Sequence, residues 1–144
     1  RELLRRLDAV EALRVRIEAR APEQSRAFRT RLEGRMRELL AGLDLQTDQG
    51  RILHEVGFFA EKADVVEELT RLASHIAQAR SWLGEGDAAS GDDGIGRRLD
   101  FLCQEMNREA NTIGSKVQDL EVSERVIELK AELERLREQV QNVE

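Results

Sequence analysis

The residues with the strongest chemical character lie between Gly96 and Lys116, in the segment GRRLDFLCQEMNREANTIGSK. On a helix, the apolar residues of this segment form one stripe: Leu99, Leu102, Met106, Ala110 and Ile113. Polar residues line its two flanks, with Arg98, Glu105, Glu109, Thr112 and Lys116 on one side and Asp100, Gln104, Asn107 and Asn111 on the other. Asn and Thr weaken a helix because their side chains compete for backbone hydrogen bonds. The segment therefore predicts a helix whose polar flanks bind something specific.

Glu105 and Glu109 are four residues apart, so both carboxylates project from one face of the predicted helix. Two like charges at this spacing repel each other and require a positive group nearby. Arg98 or Lys116 on the same flank could supply it, and so could a divalent cation, which prefers carboxylate oxygens. An ordinary exposed ion-pair face has the same spacing.

A second set of polar residues lies beside the apolar stripe of residues 65–83. Asp64, Glu68, Arg71 and His75 follow one another at intervals of four, three and four residues, which places them on one flank. Carboxylates with an imidazole suit Mn²⁺ or Zn²⁺, and they also form an acid and base pair. A histidine beside an apolar stripe can equally have a purely structural role.

Gln104, Asn107 and Asn111 offer amide donors and acceptors, which suit sugar hydroxyls and bases. Hydrogen bonds between helices explain these amides equally well. The chain has no tyrosine, one tryptophan and four phenylalanines, which argues against aromatic platforms for splayed bases. It also contains no phosphate-binding P-loop, no HExxH zinc motif and no nucleophile elbow.

The composition predicts an all-α fold, an elongated antiparallel bundle of long helices that oligomerises. Charged residues make up 36% of the 144 residues and aromatic residues 3%. Residues 1–46 predict an Arg-rich long helix, or two helices joined at Pro22. Residues 47–144 predict a second, motif-bearing helical domain with a Gly-rich loop at 84–96 and a helix over about 97–116. A last helix over 122–142 carries a coiled-coil-like seam: Val126, Leu129, Leu133, Leu136, Val140 and Val143.

The charge is distributed unevenly along the chain. Residues 1–37 carry eleven arginines and six acidic residues, whereas residues 38–144 carry 12 basic and 23 acidic residues. This asymmetry favours a polyanionic partner, although a helix with Arg-rich solvent faces also fits. We expect no membrane span, because no run of eighteen apolar residues occurs. The single Cys103 indicates a small core residue in a reducing compartment.

Three blocks of the sequence resemble the YicC/YloC-like bacterial endoribonucleases. They are Lys62-x-Asp-Val-x-Glu-Glu-Leu-x-Arg-Leu-x-Ser-His75, the segment from Gly96 to Lys116, and the ending from Glu128 to Glu144. The second block is long and highly specific, whereas residues 1–45 match only as an Arg-rich helix. The resemblance covers the carboxy-terminal part of a typical member and implies an amino-terminal domain that is absent from this chain.

The resemblance implies a cytoplasmic, metal-dependent endoribonuclease that cleaves single-stranded or hairpin RNA. It also implies a ring-like homo-oligomer, which we expect to be a hexamer, and a divalent cation, for which we expect Mn²⁺ with Mg²⁺ as the alternative. No DNA partner is expected. In the mechanism that agrees with both spacing and resemblance, the catalytic and metal-binding residues are Glu68, His75, Glu105 and Glu109. The predicted RNA-binding residues are Arg71, Arg97, Arg98, Gln104, Asn107, Arg108, Asn111 and Lys116.

Two other functions agree with the same sequence. One is an RNA-binding or ribonuclease-associated adaptor without catalysis, which would bind RNA in a salt-sensitive way and cut nothing. The other is a helical oligomerisation module, which the apolar seam at 126–143 favours. That module would not explain the amide-rich flank of the helix at 97–116.

Overall fold

The structure is a computed structural model that describes residues 1–41, 46–61, 64–85 and 92–142. This described part contains helices and no strand, which confirms the all-α prediction. The helices are α1 (Glu2–Ala41), α2 (Gln46–Glu61), α3 (Val66–Glu85), α4 (Asp92–Lys116) and α5 (Leu120–Asn142). Within the described ranges, no helix is both long and apolar enough to cross a membrane.

Four helices form a closed ring around one core. α1 packs against α3 and α5, and α4 packs against the same two helices. Neighbouring helices are antiparallel, because the start of α1 meets the ends of α3 and α5 and the start of α4 around Leu7, Leu83, Leu99 and Val140. This arrangement is a four-helix bundle, in which the apolar stripe of each helix faces the centre.

The core contains the apolar stripes that the sequence predicts. In α4 the buried residues include Leu99, Leu102, Met106, Ala110 and Ile113, and in α5 they include Val126, Leu129, Leu133, Leu136 and Val140. Val143 lies outside the described residues. Cys103 is buried as predicted, and desolvation raises the pKa of its thiol to about 12. Whether α5 forms a coiled coil with a second chain stays a prediction.

Of the two alternatives for the first helix the structure has the single long one, whereas the predicted bounds of the Gly-rich loop are wrong. α1 continues through Pro22, although a proline removes one backbone donor and costs about 3 kcal/mol inside a helix. Burial of Ile17 and Ala21 beside the proline offsets this cost. α4 begins at Asp92, so residues 92–96 of the predicted Gly-rich loop are helical, as are Gly84 and Glu85 at the end of α3. Residues 86–91 of that loop lie outside the described residues.

Aspartate side chains cap the N-termini of α3 and α5. The Asp64 carboxylate accepts a hydrogen bond from the Val66 N–H at 3.0 Å, which caps α3. Asp119 caps α5 through the Val122 N–H at 3.1 Å and also accepts the Arg20 guanidinium at 2.7 Å. The Arg20 guanidinium, with the Val122 N–H, lowers the pKa of the Asp119 carboxyl.

Within the part of the chain that the structure describes, α2 packs only on α1, outside the four-helix ring. The second half of α1 and α2 therefore form a two-helix extension, which we call the arm (residues 22–41 and 46–61). Phe28, Leu39 and Phe58 are exposed on the arm. The division into domains at residue 46 stays a prediction, and residues 2–21 pack in the same core as α3, α4 and α5.

Candidate functional site

The two polar sets of the sequence meet along one line between α3 and α4, which we call the seam (residues 64–82 and 98–116). Lys116 contacts the backbone oxygen of Asp64, Arg71 contacts Glu109, and Arg98 lies over Trp82. From one contact to the next, the residue number rises along α3 by the same amount as it falls along α4, as antiparallel packing requires. The same register places His75 level with Glu105. The bundle therefore brings together both sets of predicted site residues.

Glu68 and Lys116 form an ion pair at one end of the seam. The Lys116 ammonium donates to Glu68 Oε1 at 2.6 Å and reaches the Asp64 backbone oxygen at 3.5 Å. Glu68 is only 2% exposed, whereas about a third of the Lys116 side chain is accessible. A buried carboxylate thus holds a cation that still reaches the surface.

Arg71 and Glu109 form a second ion pair, one turn farther along the seam. Arg71 Nε lies 3.0 Å from Glu109 Oε1, and its other nitrogens lie 2.6 Å from Glu67 and 3.9 Å from Glu68. Glu109 is 5% exposed and Arg71 is about half exposed. Although desolvation opposes it, the charges of Glu109 and Glu67 raise the pKa of Arg71.

Two buried polar atoms in the seam have no hydrogen-bond partner among the described residues. They are Glu68 Oε2 and His75 Nδ1. Buried polar atoms are usually paired, so unpaired ones mark places where water, an ion or a ligand can bind. A carboxylate oxygen and an imidazole nitrogen are both donors to divalent cations.

The described residues contain no group of three or more His, Cys, Asp or Glu that could enclose a metal ion. Glu68 and Glu109 each already contact a cationic side chain. Glu105 is more weakly paired, because it forms its ion pair with Arg108 of the same helix at 3.6 Å. The described residues therefore offer at most one or two protein ligands, so water and phosphate would have to complete the coordination shell of any cation. The metal itself stays a prediction.

The amide flank of α4 points away from the seam. Gln104 donates to the Asp100 carboxylate at 2.9 Å, and Asp100 accepts from Arg137 of α5 at 2.9 Å. Asn107 is partly buried and Asn111 is exposed. Thr112 donates its hydroxyl to the backbone oxygen of Arg108 at 3.0 Å. The contact between helices is thus made by Asp100 and Arg137, and Gln104 supports it from one turn away.

Arg97 and Arg98 lie near the start of α4, and both are exposed. The Arg98 guanidinium lies 5.8 Å from the centre of the Trp82 ring, within the range of a cation–π interaction. Trp82 and Arg137 are not among the residues that the sequence predicts for the site. Each contacts a residue on a neighbouring helix, Trp82 with Arg98 and Arg137 with Asp100. Such pairs become apparent only when it is known which helices are neighbours.

Comparisons with known proteins show the family of this chain. Residues 17–144 match the family model described as endoribonuclease YicC-like, C-terminal. A Clostridioides difficile (strain 630) protein named "Probable endoribonuclease YicC" is 44% identical over 117 residues, which cover 81% of this chain and 38% of that protein. A Haemophilus influenzae (strain ATCC 51907) protein of the same name is 35% identical over 139 residues, covering 96% of this chain and 45% of that protein. The chain therefore spans less than half the length of these relatives.

Proposed function

Because the chain belongs to the YicC-like endoribonuclease family, we propose that it cleaves RNA phosphodiester bonds and that the seam carries the reacting groups. The observation that supports this most is the pair of buried carboxylates beneath two accessible cations, Glu68 under Lys116 and Glu109 under Arg71. Buried ion pairs of this kind are costly to form, so they are typical of sites where a cation must be held in place.

In this proposal Arg71 and Lys116 bind the phosphate that is cleaved or its neighbour. A guanidinium and an ammonium neutralise the charge that develops on phosphate oxygens during cleavage. Glu68 and Glu109 act through these cations as positioning residues, since their own carboxylates are buried and paired. The sequence predicts that both glutamates take part directly in catalysis and metal binding, and the proposal changes that role to positioning.

Glu105 and His75 are the groups best placed for proton transfer. Glu105 is partly exposed and only weakly paired, so its carboxylate can accept the proton of the 2′-hydroxyl or water that attacks phosphorus. Protonated His75 can return a proton to the 5′-oxygen as the phosphorus–oxygen bond to it breaks. The antiparallel register of α3 and α4 supports this pairing, because it puts Glu105 opposite His75 across the seam.

The divalent cation that the family resemblance implies would be held by Glu105, with water and the RNA phosphate as further ligands. Such a cation neutralises phosphate charge and lowers the pKa of bound water. Mn²⁺ is the first candidate, and Mg²⁺ is the second.

We further propose that the protein is a homo-oligomer with the arm at the contact between copies. Phe28, Leu39 and Phe58 leave apolar surface on the arm, and burying it against a second copy would remove this surface from water. The exposed arginines of the arm would then line a path for RNA: Arg26, Arg29, Arg31, Arg35 and Arg37. A ring-like hexamer is the assembly that the family resemblance implies.

The test is cleavage of a labelled RNA hairpin by the full-length protein in Mn²⁺ or in EDTA. The variant Glu105→Gln with Glu109→Gln should abolish cleavage, while circular dichroism shows the helical content of the wild type. Metal-dependent cleavage that survives in this double variant would contradict the assignment of the seam. If RNA binds in a salt-sensitive way but is never cut, the chain functions as an adaptor.

A further inference from the structure

The outer face of α4 has an unusual composition. Among residues 94–116, the exposed positions are Gly94, Arg97, Arg98, Phe101, Gln104, Arg108, Asn111 and Ser115. None of these exposed residues is acidic, although the whole chain carries 29 acidic residues and a net charge of −6. The acids of the same segment, Asp100, Glu105 and Glu109, are all buried or partly buried. The face therefore presents only positive charge, amides, a hydroxyl and one aromatic ring.

Phe101 lies within this face and is 58% exposed. It follows Arg97 by four residues and precedes Gln104 and Arg108 by three and seven, so the four share one helical stripe, which we call the outer stripe. Arg97 and Arg108 are about 16 Å apart along the helix axis, at 1.5 Å per residue. A single-stranded polyanion lying along this stripe would meet a guanidinium on each side of the ring.

We propose that Phe101 is a stacking platform for a base of single-stranded RNA, with Arg97 and Arg108 holding phosphates on either side. This inference rests on the proposed function, because it takes RNA as the ligand. An aromatic ring stacks on any base, and neighbouring arginines add phosphate contacts. Gln104 and Asn111 can then hydrogen-bond to base edges or 2′-hydroxyl groups. The stripe would hold the strand that leads to the seam.

The composition of the stripe favours RNA over a second protein copy. Stable contacts between copies have an apolar centre, whereas Phe101 is the only large apolar side chain in the outer stripe. Few aromatic residues occur in the chain, which argued against stacking platforms. The exposure of one of them among three arginines is nevertheless the pattern that single-strand binding uses.

The test uses a single-stranded RNA with 2′-O-methyl riboses, which blocks attack by the 2′-oxygen, and one 2-aminopurine base. Binding to the full-length protein should quench the fluorescence of this base through stacking. Phe101→Ala should remove the quenching and weaken binding about 5- to 150-fold, the range for loss of one stacked base. Phe101→Trp should restore both. Ile127→Ala is the matched control, because Ile127 is a similarly exposed apolar residue on α5 among Glu124 and Glu128.

Unchanged quenching and affinity in Phe101→Ala would overturn the inference, even if the wild type cleaves RNA. If Phe101→Ala changes the sedimentation of the RNA-free protein and leaves RNA binding intact, the outer stripe contacts a second copy instead of RNA. Failure of the wild type to bind or cleave any RNA would remove the proposed function together with this inference.

Discussion

α4 and α5 are neighbouring helices that meet the same structural requirement and differ in the face they show to solvent. Each buries an apolar stripe in the shared core. The exposed residues of α5 include five glutamates and two basic residues: Glu121, Glu124, Glu128, Lys130, Glu134, Arg135 and Glu138. The described exposed residues of α4 include three arginines and no acid. Folding constrains the buried stripes equally, so the difference outside the core indicates a different use.

The acidic residues of the two helices differ in the same way. In α5 five glutamates face solvent, where they contribute net charge and solubility. In α4 Glu109 is buried under Arg71, and Asp100 contacts Arg137. An acid that lies inside the protein holds a partner in place, whereas an acid at the surface is screened by water and salt. The comparison supports the proposal that the site lies on α4.

The largest effect should come from the part that the two helices share. Leu102→Ala in α4 and Leu129→Ala in α5 each remove a side chain that is at most 2% exposed. Each should lower the free energy of unfolding by about 2–5 kcal/mol through lost burial and a cavity. Urea unfolding measures this loss, and Phe101→Ala is the control, with an expected change within about 0.5 kcal/mol. Equal costs for Leu102 and Phe101 would contradict the placement of α4.

The next effect should separate the helices. Arg97→Glu with Arg108→Glu should weaken binding of single-stranded RNA about 10- to 100-fold at low salt, because two phosphate contacts become repulsive. Lys130→Glu with Arg135→Glu makes the same charge change on α5 and should alter affinity less than about twofold. Fluorescence anisotropy across a salt series measures both. Equal losses would show that overall charge, and not the α4 face, governs binding.

A smaller effect tests how closely the two helices approach. A Cβ atom at Gly114 would lie 3.1 Å from Cγ1 of Val126 on α5, and a valine side chain has little rotamer freedom to move away. Gly114→Ala should therefore lower the free energy of unfolding by about 1 kcal/mol. Gly34→Ala on α1 meets nothing within 4 Å and should raise it by about 0.5–1 kcal/mol. Thermal unfolding compares the two, and stabilisation by both would contradict the close contact.

The apolar period predicted the buried stripes of α4 and α5 because it depends only on local spacing. It failed at residues 92–96, where Gly94 and Gly96 favour a loop by about 1 kcal/mol each. Partial burial of Ile95 against the core outweighs that local preference. Local propensity thus favours a loop at residues 92–96, whereas tertiary packing favours a helix. Tertiary packing can be judged only when the whole fold is known.

The candidate site shows the same limit. The spacing placed Glu68 and His75 on one flank of a helix and Glu105 and Glu109 on one flank of another, and the bundle brings these flanks together. The partner of Glu68 is Lys116, 48 residues away, and the partner of Glu109 is Arg71, on the other helix. A sequence does not reveal which charges neutralise each other across helices. For this reason the sequence predicts all four residues as metal ligands, although Glu68 and Glu109 already pair with the cationic side chains of Lys116 and Arg71.

The most direct test of the seam is the initial rate of RNA hairpin cleavage by full-length Glu105→Gln, because this change keeps both buried ion pairs. Glu134→Gln with Glu138→Gln on α5 is the control, since it removes exposed glutamates that are also four residues apart. The account predicts loss of cleavage in Glu105→Gln, with unchanged melting temperature and RNA affinity, and a wild-type rate in the control. A wild-type rate in Glu105→Gln would contradict the assignment of the reacting groups to this seam.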